Sequence, residues 1–290
     1  MKKIKLMTDS ASDISLDLAK QYDIHVIPIH IVFGEESYLD QVEMGAAEFY
    51  EKQRQFSGAA KTAQVTVAEH MDAFRKYSGE YAILYVPISS RGSGTFQSAN
   101  LAKQLLLEEE GTADITILDS MNFTYGYGMW VLEAAKLLQN GASMEELVAF
   151  LEDKFSRTEV LFTVDTLDYL QKGGRISPAA KMVADVLDIR PILAIEDGLV
   201  MNRDKVRGRK KLYPKMVEHI MGRAGHMENQ LVGIVTANAP EKAEEMAQLL
   251  RERAGVEKIV TAPIGACVGV HTGPGAIGVI YLKPKDGEVC

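Results

Sequence analysis

Residues 88–99, ISSRGSGTFQSA, crowd Ser89, Ser90, Ser93, Thr95 and Ser98 around Gly92 and Gly94. One helix start needs a single capping side chain, so Ser93, Thr95 and Ser98 exceed that need. Glycine lets a backbone approach a ligand closely. Small hydroxyl donors beside glycine, where a strand hands over to a helix, suit an anionic group. They also suit a serine nucleophile. A nucleotide loop is a poor match. The Walker pattern needs a lysine after its last glycine, and Thr95 and Phe96 stand there. The dinucleotide fingerprint needs a third glycine, and Gln97 occupies that place. G-x-S-x-G, the hydrolase elbow, is absent. A serine nucleophile also needs a histidine base, and His271, in VGVHTGPGA, is the best placed of six. Two readings remain for Ser93 and His271. They are nucleophile and base of an acyl hydrolase, or two neutral donors holding a carboxylate. No motif supplies the third, orienting acid, which favours binding.

Other polar patches fall at comparable points. One apolar run ends in Thr8, Asp9 and Ser10, and another in Asp119 and Ser120. Each alone is best read as a helix cap; three in parallel positions favour a ligand. KTAQVT (61–66) reads as a helix-entry loop with Thr66 as cap. LQKGGRIS (170–177) contains a glycine pair suited to ending a helix and Arg175, free to meet an anion. RDKVRGRKK (203–211), with Arg203 and Arg207, is the one strongly basic stretch. It is either a solvated helix start or a docking face for an acidic partner or a phosphate.

The elements that must position these residues alternate in the first half. KIKLMTDS, IHVIPIHIVF, YAILYVPIS and ADITILDS read as strands, with Pro28 marking an edge or bend. Between them lie the helical patterns SLDLAKQYD, GAAEFYEKQRQ, AEHMDAFRKYS and NLAKQLLLEEE. GMWVLEAAKLLQNG and SMEELVAFLEDKFSR follow as helices, the second opened by a Ser143/Glu146 capping box. This order predicts a mainly parallel sheet flanked by helices. The second half mixes types. Asp197-Gly198 between extended runs predicts a hairpin, and helices follow from GRKKLYPKMVEHIMG and from Pro240 to Arg253. The expected fold class is therefore α/β in two domains, residues 1–157 α/β and residues 158–290 α+β with a mixed sheet. The ligand is expected between them.

Composition narrows the function. The 290 residues include 47% hydrophobic and 25% charged side chains and carry a net charge of −8, against non-specific nucleic-acid binding. The two cysteines, Cys267 and Cys290, match no metal spacing, so no metal and no disulfide framework is expected. No apolar run approaches the roughly 20 residues of a membrane span, and the opening MKKIKLMTDS is too short in apolar residues for a signal peptide. A soluble, cytoplasmic protein without stable membrane insertion is expected.

The patches together resemble the DegV family of bacterial lipid-binding proteins. The likeness rests on TDSASD (8–13), KTAQVT, ISSRGSGTFQSA, LDS (118–120), LQKGGRIS, RPILAIEDG (190–198) and GVHTGPGA (269–276), in the family's order over nearly the whole chain. It implies a long-chain fatty acid buried between two α/β domains, with the carboxylate on Thr62 and Ser93 and with His271 close by. Ser10, Gly94 and Thr95 fall in the same motifs as further ligand-binding positions. It implies a non-enzymatic carrier that presents the acid to a separate kinase subunit for phosphorylation to acyl phosphate, which enters phospholipid synthesis. Arg175, Arg203 and Arg207 would face that partner, and no cofactor is implied. The chain departs from the family's usual pattern at Ala63, Val65 and Gly92, the last where leucine is common. A long acid needs an apolar tunnel, which helices such as AAKMVADVLDI would line, and a polar end of neutral donors. A permanent arginine partner is not expected, since it would hold the carboxylate too tightly. A sugar- or dihydroxyacetone-phosphate enzyme on a similar fold is a third reading.

Overall fold

The computed structural model describes residues 2–111, 113–176, 189–224 and 226–285. Its first sheet is parallel throughout and runs in the order β2-β1-β6-β7: β1 is Lys3–Asp9, β2 His25–Ile27, β6 Tyr81–Val86 and β7 Ile115–Ile117. Continuous burial from Leu6 to Asp9 and from Ala82 to Val86 is what a doubly covered parallel sheet requires. The covering helices include α1 (Leu16–Gln21), α3 (Val67–Ser78) and α4 (Thr95–Glu110), while α2 (Ala46–Gln55) packs against the helix formed by residues 266–272. IHVIPIHIVF divides at Pro28. Its first part is β2; its second, β3 (His30–Phe33), joins a small antiparallel sheet with β4 (Glu36–Leu39) and β5 (Lys61–Ala63). Proline lacks the N–H that would continue the ladder. KTAQVT is therefore an edge strand first and a helix entry second. Thr66 does cap α3, in a capping box with Glu69.

The third sheet has six strands in the order β10-β9-β8-β13-β11-β12. These are β8 (Thr158–Thr163), β9 (Ile189–Glu196), β10 (Leu199–Arg207), β11 (Leu231–Thr236), β12 (Lys258–Pro263) and β13 (Ile277–Leu282). Only β11 and β12 run parallel, so the sheet is mixed. The β9–β10 hairpin turns at Asp197 and Gly198, whose φ of 47° and 72° give the left-handed pair that such a turn needs.

Helices α5 (Tyr125–Gln139) and α6 (Met144–Arg157) bridge the halves. Residues 125–132 of α5 are all buried, because it packs against β1 on one side and against β8 and β11 on the other. A side chain at Gly128 would meet Ser12 O at 2.1 Å, so glycine permits that approach. Trp130 Nε1 donates to Thr158 Oγ1 at 2.7 Å across the same seam. One apolar cluster runs from Leu6 through Tyr127 to Phe162 and Ile280, and so through both halves. Four further helices complete the described chain: α7 (Asp168–Gly173), α8 (Arg209–Ala224), α9 (Pro240–Ala254) and α10 (Ala266–Thr272). AAKMVADVLDI lies, but for its last residue, outside the described residues. No described helix is long and apolar enough to cross a membrane.

Candidate ligand-binding site

A cavity of about 380 Å³ lies between the six-stranded sheet and the loops of the first half. Its walls are largely apolar. Val160 and Phe162 come from β8, Ile195 from β9, Val235 from β11 and Ile277 from β13. Polar groups collect in Thr62, Gln64, Ser93, Arg175 and His271.

Thr62 sits on β5 and His271 on α10, 209 residues apart in sequence, yet Thr62 Oγ1 and His271 Nε2 are 3.2 Å apart. Burial, with the Arg175 charge adding to it, pushes the His271 pKa down to about 4, so the ring is neutral near pH 7. Its Nδ1 is buried without a partner, against Gly173, where a Cβ would stand 2.2 Å away. A ring proton on Nε2 would donate to Thr62 Oγ1 and leave the Thr62 hydroxyl hydrogen for a ligand. Ser93 Oγ lies 2.9 Å from Thr95 Oγ1 and accepts from Thr95 N at 3.3 Å. Ser93 and His271 do not bond to each other, and no acid orients the ring among the described residues.

The other strand-end groups are scaffolding. Asp9 is fully buried and accepts from Ile88 N at 2.8 Å, Ala11 N at 3.1 Å and Tyr127 Oη at 2.6 Å. Asp119 Oδ1 accepts from Ser90 N at 3.1 Å. Together they pin the loop that presents Ser93. Ser10 is not part of the cavity lining; its hydroxyl oxygen accepts from Ile29 N at 3.0 Å. Thr95 is also outside the lining and reaches the cavity only through Ser93, whereas Gly94 does line it. Helix α4 begins at Thr95, five residues before NLAKQLLLEEE, because Gly94 serves as its N-terminal boundary.

The three arginines part company. Arg175 lines the cavity itself and donates to Gly92 O and Gly173 O, so a cation stands where only neutral donors were expected. Arg203 pairs with Glu196 across the hairpin at 3.2 Å. Arg207 lines a separate basic groove with Lys205, Lys210, Lys211, Lys215 and Arg253. Gln64 and Phe123 are among the lining residues that were not singled out from the sequence. Gln64 follows directly on β5, two positions after Thr62. Phe123 left no signal. Its ring packs on Gly92, where a Cβ would stand 2.3 Å from Phe123 Cε1, which explains glycine at that place.

A model of the DegV family, described as "Uncharacterised protein, DegV family", matches residues 3–284. The chain belongs to the DegV family. A DegV domain-containing protein of Caldanaerobacter subterraneus subsp. tengcongensis is 34% identical over 283 residues, covering 97% of this chain and 99% of that one. Among solved structures, a fatty-acid-binding DegV family protein from Thermus thermophilus superposes with a TM-score of 0.88. It is 30% identical and covers 98% of this chain and 100% of its own. A stearic acid-binding protein from Eubacterium ventriosum also reaches 0.88, at 27% identity and 98% coverage of both chains. The α/β architecture described above is thus the DegV fold, and these DegV neighbours are fatty-acid-binding proteins.

Proposed function

We propose that this DegV chain binds a long-chain fatty acid and presents it to a separate kinase subunit for phosphorylation to acyl phosphate. The observation that carries the reading is one apolar cavity with a cluster of hydroxyl, amide and neutral imidazole groups in its lining. An alkyl chain gains roughly 0.8 kcal/mol for each CH₂ it buries. Its carboxylate must find donors, since an unpaired buried charge is costly. Thr62 donates one hydrogen bond, freed for that purpose by His271 Nε2–H, and Ser93 donates the second. Arg175 supplies a longer-range attraction while its own hydrogen bonds go to the carbonyls of Gly92 and Gly173. No covalent step at this chain is needed. The fatty-acid-binding descriptions of the Thermus and Eubacterium relatives support the ligand class.

The serine hydrolase reading loses support from the geometry, because Ser93 bonds to Thr95 and His271 to Thr62. A sugar-phosphate enzyme is disfavoured by the apolar walls. The test is a titration of delipidated protein with a long-chain acid. Thr62→Val combined with Ser93→Ala is expected to weaken binding at least tenfold while the circular dichroism spectrum stays native. Unchanged affinity in the folded double variant would remove the carboxylate site from these residues.

A further inference from the structure

Behind β8 lies a second hollow of about 240 Å³, lined in part by Thr163, Asp165, Arg190, Arg209, Tyr213 and Lys242. Phe162 turns into the acyl cavity and its neighbour Thr163 into this hollow, as alternation along a strand requires. Three cations line it against one carboxylate. That carboxylate is already engaged. Lys242, only 7% exposed, bonds both oxygens of Asp165, at 2.9 and 3.0 Å, and Gly275 O at 2.6 Å. Arg190 donates from Nη1 to Asp165 O at 3.3 Å, and its Nε is buried with no acceptor. Neither Arg190 nor Arg209 has a carboxylate partner among the described residues. Two guanidinium groups on one hollow, neither ion-paired among the described residues, favour an anion between them. A buried N–H without an acceptor adds to that preference. Arg209, Leu212 and Tyr213 also open the 16-residue helix α8, whose positive end faces the same way. Glu245, Asp165 and Glu241 act on Tyr213 as negative charges and Arg209 as a positive one, so the Tyr213 side of the hollow faces acids and the arginines are the groups that would meet an anion.

We propose that this hollow binds a phosphate group, as the free ion or on a small ester. Guanidinium forks match phosphate oxygens, and the Tyr213 hydroxyl adds a neutral donor. The volume suits a phosphate with a few further heavy atoms. The site stands apart from the acyl cavity and does not depend on the reading given to it.

Calorimetry of the whole chain at low ionic strength, with inorganic phosphate and with methyl phosphate, tests the site. Saturable one-to-one binding is expected for at least one of them, with chloride matched throughout. Tighter binding of methyl phosphate assigns an ester; tighter binding of inorganic phosphate assigns the ion. Arg209→Gln changes an exposed side chain and should weaken binding at least tenfold with the fold intact, and Arg190→Gln should do the same. Absence of saturable binding by both probes, or binding that Arg209→Gln leaves unchanged, would overturn the proposal.

Discussion

At the scale of single residues, Gly92 and Phe123 compete for one volume. The ring of Phe123 fills the space a side chain at position 92 would take. Both line the 380 Å³ cavity, and both also line an adjoining hollow of about 260 Å³. Gly92→Leu should therefore push Phe123 toward the acyl chain and shift the bound acids to shorter lengths. Adding Phe123→Ala should restore the original profile, read by mass spectrometry of extracted lipid. A profile unaltered by Gly92→Leu would show that the pair does not shape the cavity. The overcrowded hydroxyls of ISSRGSGTFQSA divide between the cavity and the backbone of distant segments. Ser93 faces the cavity, Ser89 donates to Gly198 O at 2.9 Å, and Ser98 donates to Val65 O at 2.6 Å. The surplus over capping was legible in the sequence. Which hydroxyl reached a ligand and which tied down a loop was not, because that depends on chain segments far away.

At the scale of elements, α10 carries His271 into the cavity, and buried acids hold its start. Asp13 Oδ1 accepts from Gly265 N, the residue capping α10, at 3.0 Å. Burial raises the Asp13 pKa well above its ordinary value, with nearby Asp40 adding to the shift. Burial likewise pushes Asp40 up to about 7 from 3.8. A raised carboxyl contributes stability that is full below the unfolded value and is lost as pH rises through the folded one. Between about pH 4 and 7, Asp40 should therefore cost the native state increasing free energy. Asp40→Asn should flatten the pH dependence of urea stability in that window relative to the unaltered chain and leave fatty-acid binding unchanged. Parallel pH profiles for the two proteins would contradict it. Most elements follow from sequence pattern: the parallel strands, the Ser143 capping box and the Asp197-Gly198 hairpin. β4 and β5 were missed because four- and three-residue edge strands carry too little alternation to register. The contact of β5 with α10 spans most of the chain, so Thr62 and His271 were linked only through the family resemblance.

At the scale of the molecule, charge is unevenly spread. The chain carries −8 overall, yet Lys205, Arg207, Lys210, Lys211, Lys215 and Arg253 share one open groove with Glu218. That groove is separate from the apolar cavity, and under the proposed function it is the face offered to an acidic surface of the kinase subunit. Arg207→Glu should weaken association with that subunit about tenfold, measured by surface plasmon resonance, and leave lipid content unaltered. Equal loss of lipid would make Arg207 part of the fold instead. Arg175 differs, because it lines the cavity and its reversal should disturb lipid binding as well. The central claim is that the cavity exists to hold a free fatty acid. Mass spectrometry of the protein as purified, first native and then denatured, tests it most directly. The account predicts a native mass heavier by one long-chain acid and release of that intact acid on denaturation. A native mass equal to that of the bare chain, with no acid extracted and none taken up when supplied, would contradict it.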